Sequence, residues 1–303
     1  MSEDKKDTKV DVSSTTVEKG LDIAKEFVGK LVSPPVEELG LLIKDQISFW
    51  RFNNQVKILN KAKALCEKNQ INVKAIPPKL LCPYLENASL EDDEELQNKW
   101  ANLLVNMVDS RQNIENHVFP YILSQLSKDE FDVVEMALQE KERRVAELEE
   151  ELQIFQSEKA SIEAQLKEEL AELKKKRDAA KPGGKWVMNK EAWKRGSEIR
   201  SVERKLSSLE YREASLRRRI DAPERIPEEN LEEFEVANVI RLGLAKVHYV
   251  ASAGTHSIDI PNRDEDSTFG SSVDFDIDIE TESFTVLTEL GELFVDACRD
   301  KRT

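Results

Sequence analysis

The feature that most constrains this chain is the stretch of residues 138–220, in which apolar residues recur at alternating three- and four-residue spacing. Two series of seam residues follow each other: Leu138, Val145, Leu148, Leu152, Phe155, Ile162, Leu166 and Leu173, then Ile199, Val202, Leu206, Leu209, Leu216 and Ile220. This spacing is that of a coiled-coil seam. The turn sequence Lys181-Pro182-Gly183-Gly184 ends one helix and starts the return. We therefore predict an antiparallel helical hairpin with arms of about 30 residues, or about 45 Å.

The turn of this hairpin concentrates positive charge. Residues 174–195 contain nine lysines and arginines and two carboxylates, whereas residues 1–138 contain 17 basic and 23 acidic residues and residues 221–303 contain 7 and 20. We define the hairpin tip as the predicted contact site, which comprises Lys174, Lys175, Lys176, Arg177, Lys181, Lys185, Trp186, Lys190, Trp193, Lys194 and Arg195. A positive end on an acidic chain predicts a site for a partner of complementary charge.

Several interpretations fit the hairpin tip. A protein partner would use Trp186 and Trp193 as apolar anchors within a basic rim. A nucleic acid would contact the cations through its phosphates and stack its bases on the same tryptophans. The cations could also simply be solvated. Because the chain as a whole contains 45 basic and 60 acidic residues and so repels phosphate, we favour the protein partner.

The seam itself leaves the pairing of the arms open. Charged residues stand at seam positions, namely Lys141, Lys159 and Glu169. Such residues weaken a seam without indicating whether the arms pair within one chain or between two chains. Self-association therefore stays an alternative.

The N-terminal region predicts a polar tail followed by an amphipathic helix. Residues 1–16 contain few apolar residues, as in disordered tails. Residues 17–32 place Val17, Leu21, Phe27 and Leu31 on one helical face, which we expect to pack within its own domain. The alternative is a membrane-surface helix, although its polar face mixes lysines and glutamates instead of carrying a cationic excess.

Composition bears on the compartment of the protein. No run of about 18 apolar residues is present, so we expect no transmembrane helix. The N-terminal residues lack the apolar core of a secretory signal. Three widely separated cysteines, Cys66, Cys82 and Cys298, form neither a disulfide framework nor a paired metal motif. We therefore predict a reducing, cytoplasmic location.

The chain predicts a mainly α fold with four segments. A disordered tail (residues 1–16) precedes a helical domain (17–126), in which we expect Trp50 and Arg51 to lie in the core and Arg51 to pair with a carboxylate. An acidic α+β domain resembling a winged helix then comprises residues 127–138 and 221–303, and the hairpin (139–220) is inserted in it.

The winged-helix prediction rests on the order of elements. Ser127 and Glu130 form a capping box that begins one helix, residues 231–245 form another, residues 246–250 and 284–287 are strand-like, and Thr288 caps the last helix. The candidate recognition helix is acidic, with Glu228, Glu229, Glu232, Glu233 and Glu235 against Arg241. This charge is wrong for phosphate, so we expect the domain to bind protein or to be structural.

No catalytic motif is recognisable. Nucleotide-binding, lipase-type and metalloprotease signatures are absent, and the three histidines are scattered. An array of four carboxylates, Asp274, Asp276, Asp278 and Glu280, alternates along a predicted strand but lacks the glycine and final glutamate of a calcium loop. We predict no enzyme activity, no cofactor, no metal and no small-molecule substrate.

Several segments resemble the abortive infection alpha family, which is associated with bacterial defence against phage. The segments are Pro34-Pro35-Val36-Glu37-Glu38-Leu39-Gly40-Leu41-Leu42, Phe49-Trp50-Arg51-Phe52, Ile76-Pro77-Pro78-Lys79-Leu80-Leu81, Ala88-Ser89-Leu90-Glu91-Asp92-Asp93-Glu94-Glu95-Leu96, Trp100-Ala101-Asn102-Leu103-Leu104 and Leu287-Thr288-Glu289-Leu290-Gly291. The resemblance covers residues 30–138 and 225–300 and leaves the hairpin as an addition. It implies a defence role and structural functions for Trp50, Arg51, Pro77, Pro78 and Trp100, but no catalytic residues.

Overall fold

The computed structural model describes residues 14–31, 49–111, 118–179, 190–253 and 279–300. These residues are mainly helical and include one two-stranded antiparallel sheet, which confirms the predicted mainly α class. The helices are α1 (Ser14–Leu31), α2 (Phe49–Lys68), α3 (Pro78–Ala88), α4 (Glu94–Val108), α5 (Phe119–Leu123), α6 (Lys128–Ala179), α7 (Lys190–Ile220), α8 (Glu233–Arg241) and α9 (Glu289–Cys298), and the strands are β1 (Ala245–Ala253) and β2 (Ile279–Leu287).

The chain divides into two compact units. Unit 1 comprises Met1–Ala137 with Arg225–Thr303, and unit 2 comprises Leu138–Glu224. Helix α6 contributes its first ten residues to unit 1 and the remainder to unit 2. The predicted separation of unit 1 into a helical part and a winged-helix-like part stays a prediction.

Helix α1 buries its apolar face within unit 1. It begins at Ser14, so the predicted tail is too long by three residues, and residues 1–13 lie outside the described ranges. Ala24, Phe27, Val28 and Leu31 are all buried, and the helix contacts α2. Across the described ranges, no helix is long and apolar enough to span a bilayer.

The prediction that Trp50 lies in the core is wrong. Its side chain is 50% exposed, because α2 buries a face that includes Gln55, Leu59 and Ala62. At about 100° per residue, Trp50 lies about 140° away from Gln55 and therefore points away from that face. Being on the same helix as core residues is thus not sufficient for burial.

Arg51 binds a helix terminus and not a carboxylate, contrary to the prediction. Its Nε donates to Ser89 Oγ at 3.0 Å, and its Nη2 donates to the Glu86 carbonyl at 3.4 Å. Nearby, the buried amides of Asn54 and Gln55 donate to the carbonyls of Ser89 and Leu85. These bonds supply donors to carbonyl groups at the C-terminal end of α3, where intrahelical donors run out, and the Leu85 carbonyl accepts from the Ser89 amide as well.

Trp100 occupies the core of unit 1. Its side chain is fully buried and meets the Tyr84 ring edge-on, with ring centroids 5.3 Å apart. The Tyr84 hydroxyl donates to the Trp100 carbonyl at 2.7 Å, and burial raises the pKa of Tyr84. Pro78 begins α3 at a position where its missing N–H costs nothing, and Pro77 precedes it as the cap residue.

The start of α6 is fixed by the predicted capping box. The Glu130 amide donates to Ser127 Oγ at 3.1 Å, and the Ser127 amide donates to Glu130 Oε2 at 2.7 Å. Asn238 of α8 also donates to Glu130 Oε1 at 2.8 Å and to the Gln125 carbonyl at 2.9 Å. The cap therefore joins the start of α6 to a helix that follows the hairpin in sequence.

Strands β1 and β2 form an antiparallel ladder whose register runs from the pair Ala245 and Leu287 to the pair Ala253 and Ile279. Both strands are longer than predicted, whereas the helix predicted over residues 231–245 is limited to α8 and follows a short 3₁₀ turn, Glu228–Asn230. Phe234, an apolar residue of this helix, is 72% exposed. Phe234 is exposed because α8 has only nine residues and buries only the side on which Val239 lies.

Unit 2 consists of the two arms of the hairpin, which run antiparallel. Near the base, Arg144 of α6 donates to the carbonyls of Arg219 and Ala222 and pairs with Glu224 at 2.8 Å. Farther out, Lys174 pairs with Glu203 at 3.1 Å. The seam between these contacts buries Leu148, Phe155, Leu216, Ile199 and Val202 and half-buries Leu152, Leu209 and Ile220.

Two of the predicted seam positions are wrong. Ile162 is 38% exposed, because it stands about 40° from the line through Leu148 and Leu166 and turns one side to solvent. Glu169 is fully on the solvent side. Lys159, by contrast, does select a partner: its Nζ pairs with Glu213 of the opposite arm at 2.6 Å. This pairing could not be predicted from the sequence, because the partner of Lys159 depends on the register of the return arm.

Glu213 is the centre of a polar cluster in the seam. It accepts bonds from Lys159, from Arg217 at 2.9 Å and from Gln156 at 3.2 Å, and these donors lower the pKa of Glu213 to about 2. Because its ordinary value is 4.5, the carboxylate stabilises the folded arms above that pH. This stabilisation is lost as the pH falls from about 4.5 towards 2.

We expect Glu213→Gln to remove this acid dependence. Between about pH 5 and pH 2, the melting temperature of the unmodified protein should fall more than that of the variant, measured by circular dichroism. Glu168→Gln is the control, because Glu168 is exposed and forms no ion pair within the described residues. Parallel pH profiles of the unmodified protein and Glu213→Gln would contradict the assignment.

Candidate functional site: the end of the hairpin

The described part of the hairpin tip comes from two helix ends. Lys174, Lys175, Lys176 and Arg177 lie near the C-terminal end of α6, where cations suit the negative end of the helix dipole. Trp193, Lys194 and Arg195 lie near the start of α7. The predicted residues Lys181, Lys185 and Trp186 lie outside the described residues, and of Lys190 only the helical backbone is described.

Contacts between the arms bring these two groups together. Arg195 Nη1 donates to the Lys176 carbonyl at 3.3 Å, and Lys174 forms its ion pair with Glu203. Lys176 and Arg177 have local partners, Glu172 at 3.4 Å and Asp178 at 2.9 Å. Four of the predicted cations are therefore already engaged in contacts within the hairpin.

The remaining described members of the tip face solvent without ionic partners. Lys175 and Lys194 are exposed and form no ion pair within the described residues. Trp193 is 71% exposed, although tryptophan normally buries most of its large apolar surface. An exposed indole at an end of the hairpin that also carries two exposed ammonium groups can provide an apolar anchor together with charge.

Positive charge also extends beyond the hairpin tip. We define the outer stripe as five exposed residues of α7: Trp193, Arg200, Arg204, Tyr211 and Arg218. The last four are not among the contact residues predicted from the sequence. Counting helical positions opposite the apolar seam would have found them, since the stripe repeats at seven, four, seven and seven residues.

The other candidate sites, which are the carboxylate array and the cysteines, show no feature of a metal site or of a reactive thiol among the described residues. Within the described ranges, no group of three or more His, Cys, Asp or Glu side chains is placed to hold a metal ion. Glu280 lies exposed on β2, whereas Asp274, Asp276 and Asp278 fall outside those ranges. Burial raises the pKa of the Cys298 thiol far above its ordinary value, so this cysteine is not a reactive thiolate.

Comparison with known proteins identifies a family. The model of the family described as abortive infection alpha matches residues 53–298, a range that includes the hairpin. The segments Pro34-to-Leu42 and Phe49-to-Phe52 precede this range. Neither the curated proteins nor the solved structures give a match.

Proposed function

Because the chain belongs to the abortive infection alpha family, we propose that it acts in abortive-infection defence against phage as a non-enzymatic interaction protein. The family match confirms the resemblance seen in the sequence. The observation that carries the proposed mechanism is the exposed set Lys175, Trp193 and Lys194 at the hairpin tip. These residues provide charge and apolar surface without contributing to the packing of the arms.

The partner proposed for the hairpin tip is a protein. Its surface would be acidic around an apolar depression that accepts the Trp193 ring, because tryptophan anchors in desolvated pockets contribute much of the affinity of protein interfaces. The arms place this tip far from the hairpin base, since the 31 residues of α7 extend about 45 Å. The arms would thus present the tip at a distance from their own base.

The strand-bearing part of unit 1 is proposed to be a winged-helix-like module that binds protein or is structural. Arg225 forms an isolated antiparallel β-bridge with Val286 of β2, so the segment before α8 lies against the sheet, which supports the proposal. Helix α8 and the turn before it expose Glu228, Glu229 and Glu233. This charge disfavours contact with a DNA backbone.

We further propose a cytoplasmic location, which fits the three widely separated cysteines of the sequence, since their spacing forms neither a disulfide framework nor a paired metal motif. The membrane alternative for residues 17–32 stays a prediction with one point against it: the described apolar residues of α1 are already buried in unit 1. Liposome sedimentation of the full chain and of a chain lacking that segment tests it.

Reversing four charges at the tip tests the proposed contact. We expect Lys174→Glu, Lys175→Glu, Lys176→Glu and Arg177→Glu together to abolish protection in a phage plating assay, because an acidic partner would then be repelled. A second variant, Lys175→Glu with Trp193→Ala and Lys194→Glu, should do the same while leaving the inter-arm ion pair of Lys174 intact.

The matched control reverses exposed charges of unit 1, namely Lys57, Lys68, Lys79 and Lys246. We expect this variant to protect, and circular dichroism should show all three variants to be as helical as the unmodified protein. Full protection by both tip variants would contradict the proposed contact.

A further inference from the structure

The outer stripe of α7 is a regular surface that the packing of the hairpin does not use. At about 100° per residue, its five members lie within about 20° of one line along the helix. The seam residues Val202, Leu209 and Leu216 lie about 140–180° away, so the stripe faces solvent directly opposite the partner arm. Its two aromatic residues are 71% and 68% exposed, for Trp193 and Tyr211 respectively.

The stripe is free of negative charge. Between its members, the helix sector within about 60° of the line contains only small or hydroxyl residues, namely Gly196, Ser197, Ser207, Ser208, Ala214 and Ser215, apart from Lys190 at its edge. On one flank the next exposed residues are again basic: Lys194, Lys205 and Arg219. On the other flank stand Glu203, which pairs with Lys174, and the exposed Glu210, both outside this sector.

The arginines of the stripe have no ionic partners among the described residues. Arg204 donates from Nε to the backbone carbonyl of Arg200, and Arg200 and Arg218 are exposed. Arg212 differs, because it contacts Glu151 at 3.4 Å and stands over the Phe155 ring at 4.8 Å, towards the opposite arm. The guanidinium groups of the stripe are therefore available to an external anion.

We propose that the outer stripe binds single-stranded nucleic acid, with phosphates at Arg200, Arg204 and Arg218 and unpaired bases stacked on Trp193 and Tyr211. Exposed aromatic rings interleaved with arginine are the combination that sequence-tolerant single-strand binding requires. The stripe spans 25 residues, or about 38 Å, along a helix that offers no groove. A flexible single strand can follow such a line, and its bases, unlike those of a duplex, are free to stack on side chains.

The acidic remainder of the chain does not prevent this contact. Charges in solution are screened over about 8 Å at physiological ionic strength, so the local sign of the surface decides the interaction. An acidic protein would also be attracted to the arginines, but two largely exposed rings about 27 Å apart on one line with the arginines suit separate bases of one strand. The proposed binding site runs along α7, and it does not depend on the partner proposed for the hairpin tip.

Fluorescence anisotropy of the full chain with a labelled single-stranded DNA of about 12 nucleotides tests the proposal, since known single-strand sites span roughly 4–16 nucleotides. We expect affinity to fall steeply with salt. Arg200→Glu with Arg204→Glu and Arg218→Glu should weaken binding at least tenfold and lower the salt slope by about 2. The same three positions changed to lysine should retain most of the affinity.

The control with the same change in charge is Lys57→Glu with Lys68→Glu and Lys79→Glu, which should bind as the unmodified chain does. Tyr211→Ala should weaken binding about tenfold without changing the salt slope, and this position is far from the tip variants. The proposal is overturned if the unmodified chain does not bind at low salt, or if the control with Lys57, Lys68 and Lys79 changed to Glu weakens binding as much as the stripe variant does. Equal affinity for a matched duplex, or full competition from polyglutamate, would also overturn it.

Discussion

Gly291→Ala is expected to destabilise unit 1 by about 3 kcal/mol, because no space exists for a methyl group at this position. A Cβ on Gly291 would overlap the backbone carbonyl oxygen of Leu244 and approach Leu287 Cδ1 to 2.8 Å. The obstacle is backbone, which cannot rotate away as a side chain could. The same turn is held by Thr288, whose Oγ1 donates to the Gly243 carbonyl at 2.6 Å and accepts from the Gly291 amide at 3.0 Å.

The measurement is chemical denaturation, with Gly29→Ala as the control. Gly29 lies within α1, and a Cβ there would have no atom within 4 Å. Alanine is the better helix former by roughly 0.5–1 kcal/mol, so this control should be neutral or slightly stabilised. If Gly291→Ala were as stable as Gly29→Ala, the close approach of α9 to the residue before β1 would be wrong.

Trp100→Ala should have the largest effect of any single truncation considered, a loss of about 3–5 kcal/mol. The substitution empties a fully buried site and removes the edge-on contact with Tyr84. The Tyr84 hydroxyl keeps its bond, since its acceptor is the backbone carbonyl of residue 100. The loss therefore reports packing and the cavity, and not an unsatisfied hydroxyl. Because folded domains are stable by only about 5–15 kcal/mol, this loss is a large fraction of the total stability.

Trp50→Ala provides the matched comparison, because both tryptophans belong to the family segments and the half-exposed Trp50 has little packing to lose. We expect it to cost less than about 1 kcal/mol. Denaturation curves of the two variants, monitored by circular dichroism, give the difference. Similar losses at both positions would show that Trp50 is held by contacts that its exposure does not indicate.

The hairpin combines a structural surface and two candidate contact surfaces in one element. The seam holds the arms together, and the pairing of Lys159 with Glu213 fixes how they meet within one chain. The hairpin tip and the outer stripe are left to solvent by that packing. Trp193 belongs to both surfaces, so the stripe is tested at Arg200, Arg204, Tyr211 and Arg218, none of which a tip variant changes, and the two sets of variants are measured by nucleic-acid binding and by phage plating respectively. The two proposals can therefore fail separately.

Local patterns in the sequence determined much of this protein. Alternating three- and four-residue spacing predicted the two arms, and the capping boxes and cap residues at Ser127 and Thr288 predicted where helices begin. The family segments, among them those around Pro77 and Trp100, together predicted the family. These features can be predicted from the sequence because each depends on residues a few positions apart, within one helix or one turn.

Only the tertiary structure decided which surface each residue meets. It turned Trp50 to solvent, gave Arg51 a helix terminus in place of a carboxylate, and assigned Lys159 a partner 54 residues away. It also placed the backbone of Leu244 against Gly291, a residue that in sequence is only a glycine near the start of a helix. The physical reason is common to all four: periodicity fixes the faces of one helix, whereas the neighbour of each face depends on packing between distant segments.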